Sequence, residues 1–169
     1  MQAVLLLGGN LGERETLLAQ AREAIGQTCG PVLRVSRLYE TPAWGFTQPV
    51  PDFLNQALMI ETALLPEDLL RVCQDVELRL GRQREEKAAE ALAEDVLEKE
   101  ASRTYASRLI DIDILFYEDL VCQSPHLTIP HSKLPQRRFA LMPLAEIASE
   151  WVHPQLGLTT AEMLAMCKD

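Results

Sequence analysis

The sequence predicts an α+β fold, a mostly antiparallel sheet with flanking helices, and three observations carry that prediction. Residues 110–116 place an apolar side chain at every second position, Ile110, Ile112, Ile114 and Phe116, the period of a half-buried strand. Leu69, Cys73, Val76 and Leu80 recur at the period of a helix. Segments of the two kinds follow one another as strand–helix–strand–strand–helix–strand, the ferredoxin-like order, which many unrelated functions share. At 169 residues, 47% hydrophobic and 24% charged, the chain reads as a single domain, 1–169, with a core of its own.

Taken in order, residues 2–8 read as a buried strand closed by Gly8-Gly9-Asn10, a turn into a helix. Leu17, Leu18, Ala21, Ala24 and Ile25 mark that helix, and Gly30 stops it. The glycine pair is no Walker loop, because no Lys-Ser/Thr follows it. Residues 31–39 read as a second strand. Residues 39–51 hold Pro42, Pro49, Pro51 and Gly45 and read as a loop. Its Trp44 and Phe46 would either clamp a flat ring or cap the core.

Residues 53–62 read as a third strand with Phe53 and Asn55 on one face. A ring for stacking beside an amide that donates and accepts suits a heteroaromatic ligand; an Asn capping the loop is the alternative. Pro66 opens a second helix and Gly81 closes it, with Gln74 and Glu77 as neighbours on its flank. Residues 85–102 follow, an acidic insertion with seven acids against two lysines, read as a weak surface helix or mobile insert. It carries −5 of the net charge of −9. Elsewhere the cations cluster: Arg79, Arg82 and Arg84; Arg103 and Arg108; Lys133, Arg137 and Arg138. Bulk acidity excludes nucleic acid, while local basic clusters admit a small anion.

The strand at 110–116 sets Ile110, Ile112, Ile114 and Phe116 on one face and Asp111, Asp113 and Leu115 on the other. Two adjacent carboxylates repel each other and call for a cation. Hard oxygen ligands at i and i+2 suit Mg²⁺; a solvated strand face, or acids neutralised by nearby arginines, would also fit. Beyond it come a short strand near residues 120–122, a helix over residues 140–149, an extended piece around Trp151 and a last helix from about Thr160. The four cysteines match no zinc spacing and read as reduced thiols. The first apolar run is too short for a signal segment or membrane span, so a cytoplasmic protein is expected.

Six segments then stand in register along nearly the whole chain. They are Leu7-Gly8-Gly9-Asn10-Leu11-Gly12, Tyr39-Glu40-Thr41-Pro42-Ala43-Trp44-Gly45, Phe53-Leu54-Asn55, Glu77 with Gly81-Arg82-Gln83-Arg84, Ser107-Arg108-Leu109-Ile110-Asp111-Ile112-Asp113, and Ile129-Pro130-His131 with Arg137 and Phe139. Together they resemble the 6-hydroxymethyl-7,8-dihydropterin pyrophosphokinases of folate biosynthesis. The resemblance implies transfer of the β,γ-pyrophosphoryl group of ATP to the pterin hydroxymethyl oxygen, with release of AMP. It assigns two Mg²⁺ ions to Asp111 and Asp113. It assigns the pterin to Thr41, Pro42, Trp44, Phe53, Asn55 and Phe139. It surrounds ATP with Gln74, Glu77, Arg84, Arg108, Ile114, Thr128, His131 and Arg137, of which Arg84 and Arg108 join the two aspartates as catalytic residues.

Small-molecule substrates are the implied partners, with no nucleic acid, no membrane and a monomeric state. The chain departs from the family pattern in four places. Arg103 sits one residue further from Arg108 than usual and Tyr105 replaces a Trp between them; His126 and Ser132 replace an Arg and a Tyr found in some members; residues 85–102 lengthen a catalytic loop. Two other readings stay open: a Mg-nucleotide transferase that releases pyrophosphate, and a non-catalytic ferredoxin-like ligand-binding domain.

Overall fold

The computed structural model describes residues 1–10, 12–42, 52–91 and 109–168, without the side chains of 82–91. The strands are β1 (Gln2–Gly9), β2 (Val32–Val35), β3 (Tyr39–Thr41), β4 (Phe53–Glu61), β5 (Asp111–Tyr117), β6 (Cys122–Gln123) and β7 (Thr128–Ile129). The helices are α1 (Arg14–Thr28), α2 (Pro66–Ala91), α3 (Arg138–Ala148) and α4 (Thr160–Met166), with a 3-10 turn at Leu134–Gln136. The main sheet runs β2-β4-β1-β5 with β3 also paired to β4, and its pairings are all antiparallel. This is the ferredoxin-like α+β fold.

Central β1 explains the layering. Ala3, Leu5 and Leu7 face a core shared with Leu18, Ile25, Leu69 and Val76 of α1 and α2. Val4 and Leu6 face a second core with Leu141 and Leu144 of α3 and Met163 of α4. A strand covered on both faces has no wet side, which is why residues 2–8 show no alternation. Each fully buried Leu contributes about 1.5–3 kcal/mol, so the strand is the anchor of the sheet. Gly30 turns the chain at φ +136°, and a Cβ there would overlap the Glu61 carbonyl oxygen, so only glycine fits. At the far end, Thr159 and Glu162 form a capping box that starts α4.

Four expectations need correction. Residues 31–39 make two short strands, because Ser36 interrupts the ladder: its Oγ accepts the Ala57 N–H at 2.9 Å. The loop expected from residue 39 therefore begins as β3, paired to Phe53–Asn55 of β4. Gly81 does not close α2, which continues to Ala91. A single glycine costs a helix about 1 kcal/mol, less than a run of Arg, Gln, Glu, Lys and Ala after it restores. Residues 85–91 are thus the end of α2; the rest of the acidic insertion, 92–102, lies outside the described residues. Finally, the alternation of β5 fails at its end. The register against β1 shifts between Val4 and Leu5, so Phe116 joins Leu115 in the α3 and α4 core and Tyr117 takes the opposite face.

Candidate active site

Strand parity and register assemble the site. Gly8 of β1 pairs with Asn55 on one side and Asp111 on the other, and Leu6 pairs with Asp113. Directly opposed residues share a face, so Asn55, Gly8 and Asp111 stand abreast across three strands, with Asp113 one step along. That face is the one opposite α1 and α2.

Beyond Gly8 the second core gives way to a cavity of about 560 Å³ lined by Leu6, Gly8, Thr41, Pro42, Phe53, Asn55, Asp111, Asp113, Gln136, Arg137 and Phe139. Gly8 makes room for its neighbour: a Cβ there would stand 3.0 Å from Asn55 Oδ1. The Asn55 amide is oriented by its Nδ2, which donates to Thr41 Oγ1 at 2.9 Å. The half-buried Phe53 comes from β4 and the half-buried Phe139 from the first turn of α3. The Arg137 guanidinium lies 5.5 Å from the Phe139 ring centroid, a cation–π contact that holds a positive charge at the cavity wall.

His131 closes one flank. Its N–H donates to the Leu115 carbonyl at 3.1 Å, which pins the segment leading to Arg137 against β5. Burial pushes the imidazole below the usual histidine range; the Asp113 carboxylate opposes the shift, and Arg137 and Lys133 add to it. The ring is therefore neutral at pH 7, within electrostatic reach of both Asp113 and Arg137. Its Nδ1 accepts from the Lys133 N–H at 3.3 Å.

The structure thus brings together Thr41, Pro42, Phe53, Asn55, Asp111, Asp113, Arg137 and Phe139, and sets His131 beside them. It does not bring Gln74, Glu77, Ile114 or Thr128 into the cavity. Gln74 is exposed and Glu77 half-buried on α2, on the other side of the sheet, while Thr128 is half-buried in β7. Ile114 is 4% exposed in the α1 and α2 core, so its side chain offers a nucleotide nothing and only its backbone could. Both α2 and β7 pack against β5, the strand that carries Ile114. Trp44, Phe46, Arg103 and Arg108 lie outside the described residues, as does the side chain of Arg84.

Leu6, Gly8 and Gln136 line the cavity without having been singled out. For Gly8 a signal existed, since it lies on a buried strand two residues beyond Leu6 and shares its parity. Among the described residues no cluster of three or more His, Cys, Asp or Glu could hold a metal ion. Two carboxylates alone would leave most of an octahedron to water and phosphate oxygens, the coordination Mg²⁺ prefers.

A model of the 7,8-dihydro-6-hydroxymethylpterin-pyrophosphokinase family matches residues 4–149. Proteins named 2-amino-4-hydroxy-6-hydroxymethyldihydropteridine pyrophosphokinase are similar over most of the chain. That of Porphyromonas gingivalis is 40% identical over 152 residues, 89% of this chain and 92% of its own length. That of Methylorubrum extorquens is 39% identical over 165 residues, 97% and 92% of the two chains. A crystal structure of Plasmodium falciparum HPPK-DHPS superposes with a TM-score of 0.72 at 17% identity, covering 97% of this chain and 44% of that one. The latter likeness speaks for the fold alone, and this chain spans under half of that longer protein. No helix among the described residues is long and apolar enough to cross a membrane.

Proposed function

The chain belongs to the 7,8-dihydro-6-hydroxymethylpterin-pyrophosphokinase family, and we propose how its own residues carry the family's reaction. It transfers pyrophosphate from ATP to 6-hydroxymethyl-7,8-dihydropterin, giving the pterin diphosphate and AMP. A bond forms from the hydroxymethyl oxygen to the β-phosphorus as its O–H bond breaks and the proton passes to solvent, and the bond from that phosphorus to the oxygen bridging to the α-phosphorus breaks, that oxygen leaving with AMP.

One observation supports this assignment above the others: the carboxylates of Asp111 and Asp113 share a cavity with Asn55, Phe53 and Phe139. The pterin lies between Phe53 and Phe139. Because Asn55 donates to Thr41, its Oδ1 is left as the acceptor for a ring N–H, over the gap that Gly8 leaves. Pro42 forms a wall. The hydroxymethyl group then points along β5 toward the aspartates.

A triphosphate cannot approach two carboxylates unaided. Like charges about 4 Å apart repel by roughly 4 kcal/mol at the effective dielectric of a protein surface. The donor set fits Mg²⁺, and Asp111 and Asp113 would hold two such ions. When bound, the ions would screen the triphosphate and lower the pKa of the attacking hydroxyl. The chain's own cations act beside them: Arg137, fixed over Phe139, faces the phosphates, and Arg84 and Arg108 are assigned the same task of neutralising the triphosphate. His131, neutral, serves as a hydrogen-bond partner. Gln74, Glu77, Thr128 and the Ile114 backbone receive the nucleoside beside β5. Such a reaction needs charge neutralisation and in-line placement more than covalent chemistry.

The chain is a single domain whose acidic stretch at 85–102 begins as the end of α2, and small molecules are the partners this reaction requires, in a cytoplasmic monomer. Product analysis tests the whole reading. With ATP, Mg²⁺ and the hydroxymethyl pterin, AMP and pterin diphosphate should form one for one. Release of inorganic pyrophosphate, or no turnover with both ligands bound, would overturn it.

A further inference from the structure

We propose that Arg14 is a positioning residue for the pterin, a brace that holds two walls of its pocket together from behind the sheet. Arg14 is the first residue of α1, and its side chain is 26% exposed. Its Nη1 donates to the backbone carbonyl of Asp52 at 2.6 Å and to Glu40 Oε1 at 3.3 Å. Glu40 and Asp52 flank the two stretches that matter: Thr41 and Pro42 follow the first, and Phe53 follows the second. Thr41, Pro42 and Phe53 all line the cavity.

An exposed Arg–Glu pair alone is worth little, and Glu40 is largely exposed. The backbone contact is different, because a short hydrogen bond from a guanidinium to a carbonyl fixes main chain rather than a floppy carboxylate. The ladder it supports is weak on its own. β3 pairs with β4 through only Tyr39, Glu40 and Thr41, with Thr41 opposite Phe53. Strand parity turns Glu40 toward the α1 side while Thr41 faces the cavity, so Arg14 reaches the hairpin without touching the ligand. Without the brace, Thr41 is free to drift. Asn55 then loses the acceptor that orients its amide, and Phe53 loses its fixed distance from Phe139.

The proposal rests on the pterin reading of this cavity, and the experiment separates the two. Arg14→Ala, Arg14→Lys and Asn55→Ala are compared with wild type by titration of 6-hydroxymethyl-7,8-dihydropterin, titration of ATP with Mg²⁺, and thermal melting. Arg14→Ala should raise the pterin Kd roughly tenfold, about the value of one hydrogen bond to a charged group. ATP affinity and kcat at saturating pterin should hold within twofold. Arg14→Lys, which can reach one of the two partners, should recover part of the loss. If Asn55→Ala weakens pterin binding and Arg14→Ala does not, the brace is refuted. Equal losses for pterin and ATP, or a pterin loss that Lys does not recover at all, also refute it. If Asn55→Ala leaves pterin binding unchanged, the pocket reading fails and takes the brace with it.

Discussion

Replacing Gly8 with Ala tests the geometry of the cavity with one methyl group. The new Cβ would stand 3.0 Å from Asn55 Oδ1, so the amide would have to give by a few tenths of an ångström. Asn55 is held at 2.9 Å to Thr41 Oγ1, and a shift of that size carries the bond to the edge of useful geometry. The loss of one such bond is about 0.5–1.5 kcal/mol. The methyl also intrudes on the place where a ring N–H would meet Oδ1. Against this, Ala in a strand is better than Gly by roughly 0.5–1 kcal/mol, because it loses less backbone freedom. The two effects nearly offset each other in the unliganded protein, but only the first acts on the ligand. Gly8→Ala should therefore melt within a few degrees of wild type while its pterin affinity falls about tenfold, by roughly 1.4 kcal/mol. Calorimetric titration and a thermal melt read both quantities. A variant that melts much lower but binds pterin as tightly as wild type would refute the reasoning.

Phe53→Ala and Phe139→Ala should each weaken pterin binding by about 1–3 kcal/mol, the range for aromatic stacking on a base, and leave ATP binding nearly unchanged; separate titrations check this. His153 should make stability fall on acidification. It is 4% exposed, its Nδ1 accepts the N–H groups of Gln155 and Leu156 at 3.2 and 3.1 Å, and burial pushes its pKa below the ordinary histidine value of 6.5. A folded pKa below the unfolded one means the unfolded chain binds the proton more readily, so the contribution is whole above about pH 6.5 and is lost as pH falls below it. Melting wild type and His153→Asn from pH 7.5 to 5.5 should show a shallower decline in the variant, and parallel curves would contradict the assignment.

Much of this was legible in the residues themselves. Periodicity marked β5 and the helices α1 and α2, whereas β1, covered on both faces, was legible only as an unbroken apolar run. The same rule set Asp111 beside Asp113, and Phe53 beside Asn55, on shared faces. What it could not show were events imposed by a neighbour: the register shift opposite Val4 that turns Phe116 over, and the Ser36 side chain that splits a strand. Gly81 misled for a related reason, since local cost did not end a helix whose following residues favour it. The cavity was half legible. Its charged and aromatic members announce their chemistry, whereas Gly8 and Arg14 matter only through partners more than 25 residues away, Asn55 and Asp52. Ile114 shows the converse, a residue matched by resemblance whose side chain is packed in the core.

The central claim is that Asp111 and Asp113 carry the charge balance of the transfer. AMP formation is to be measured against Mg²⁺ concentration for wild type, Asp111→Asn and Asp113→Asn, each shown to be folded by its melt. Each variant should lose about 3 kcal/mol or more of transition-state stabilisation, at least a hundredfold in turnover at saturating Mg²⁺, the scale of one lost preorganised electrostatic contact. Removing one of two adjacent negative charges should leave the unliganded melting temperature equal or higher. Turnover near wild type in either variant at saturating Mg²⁺ would contradict the account.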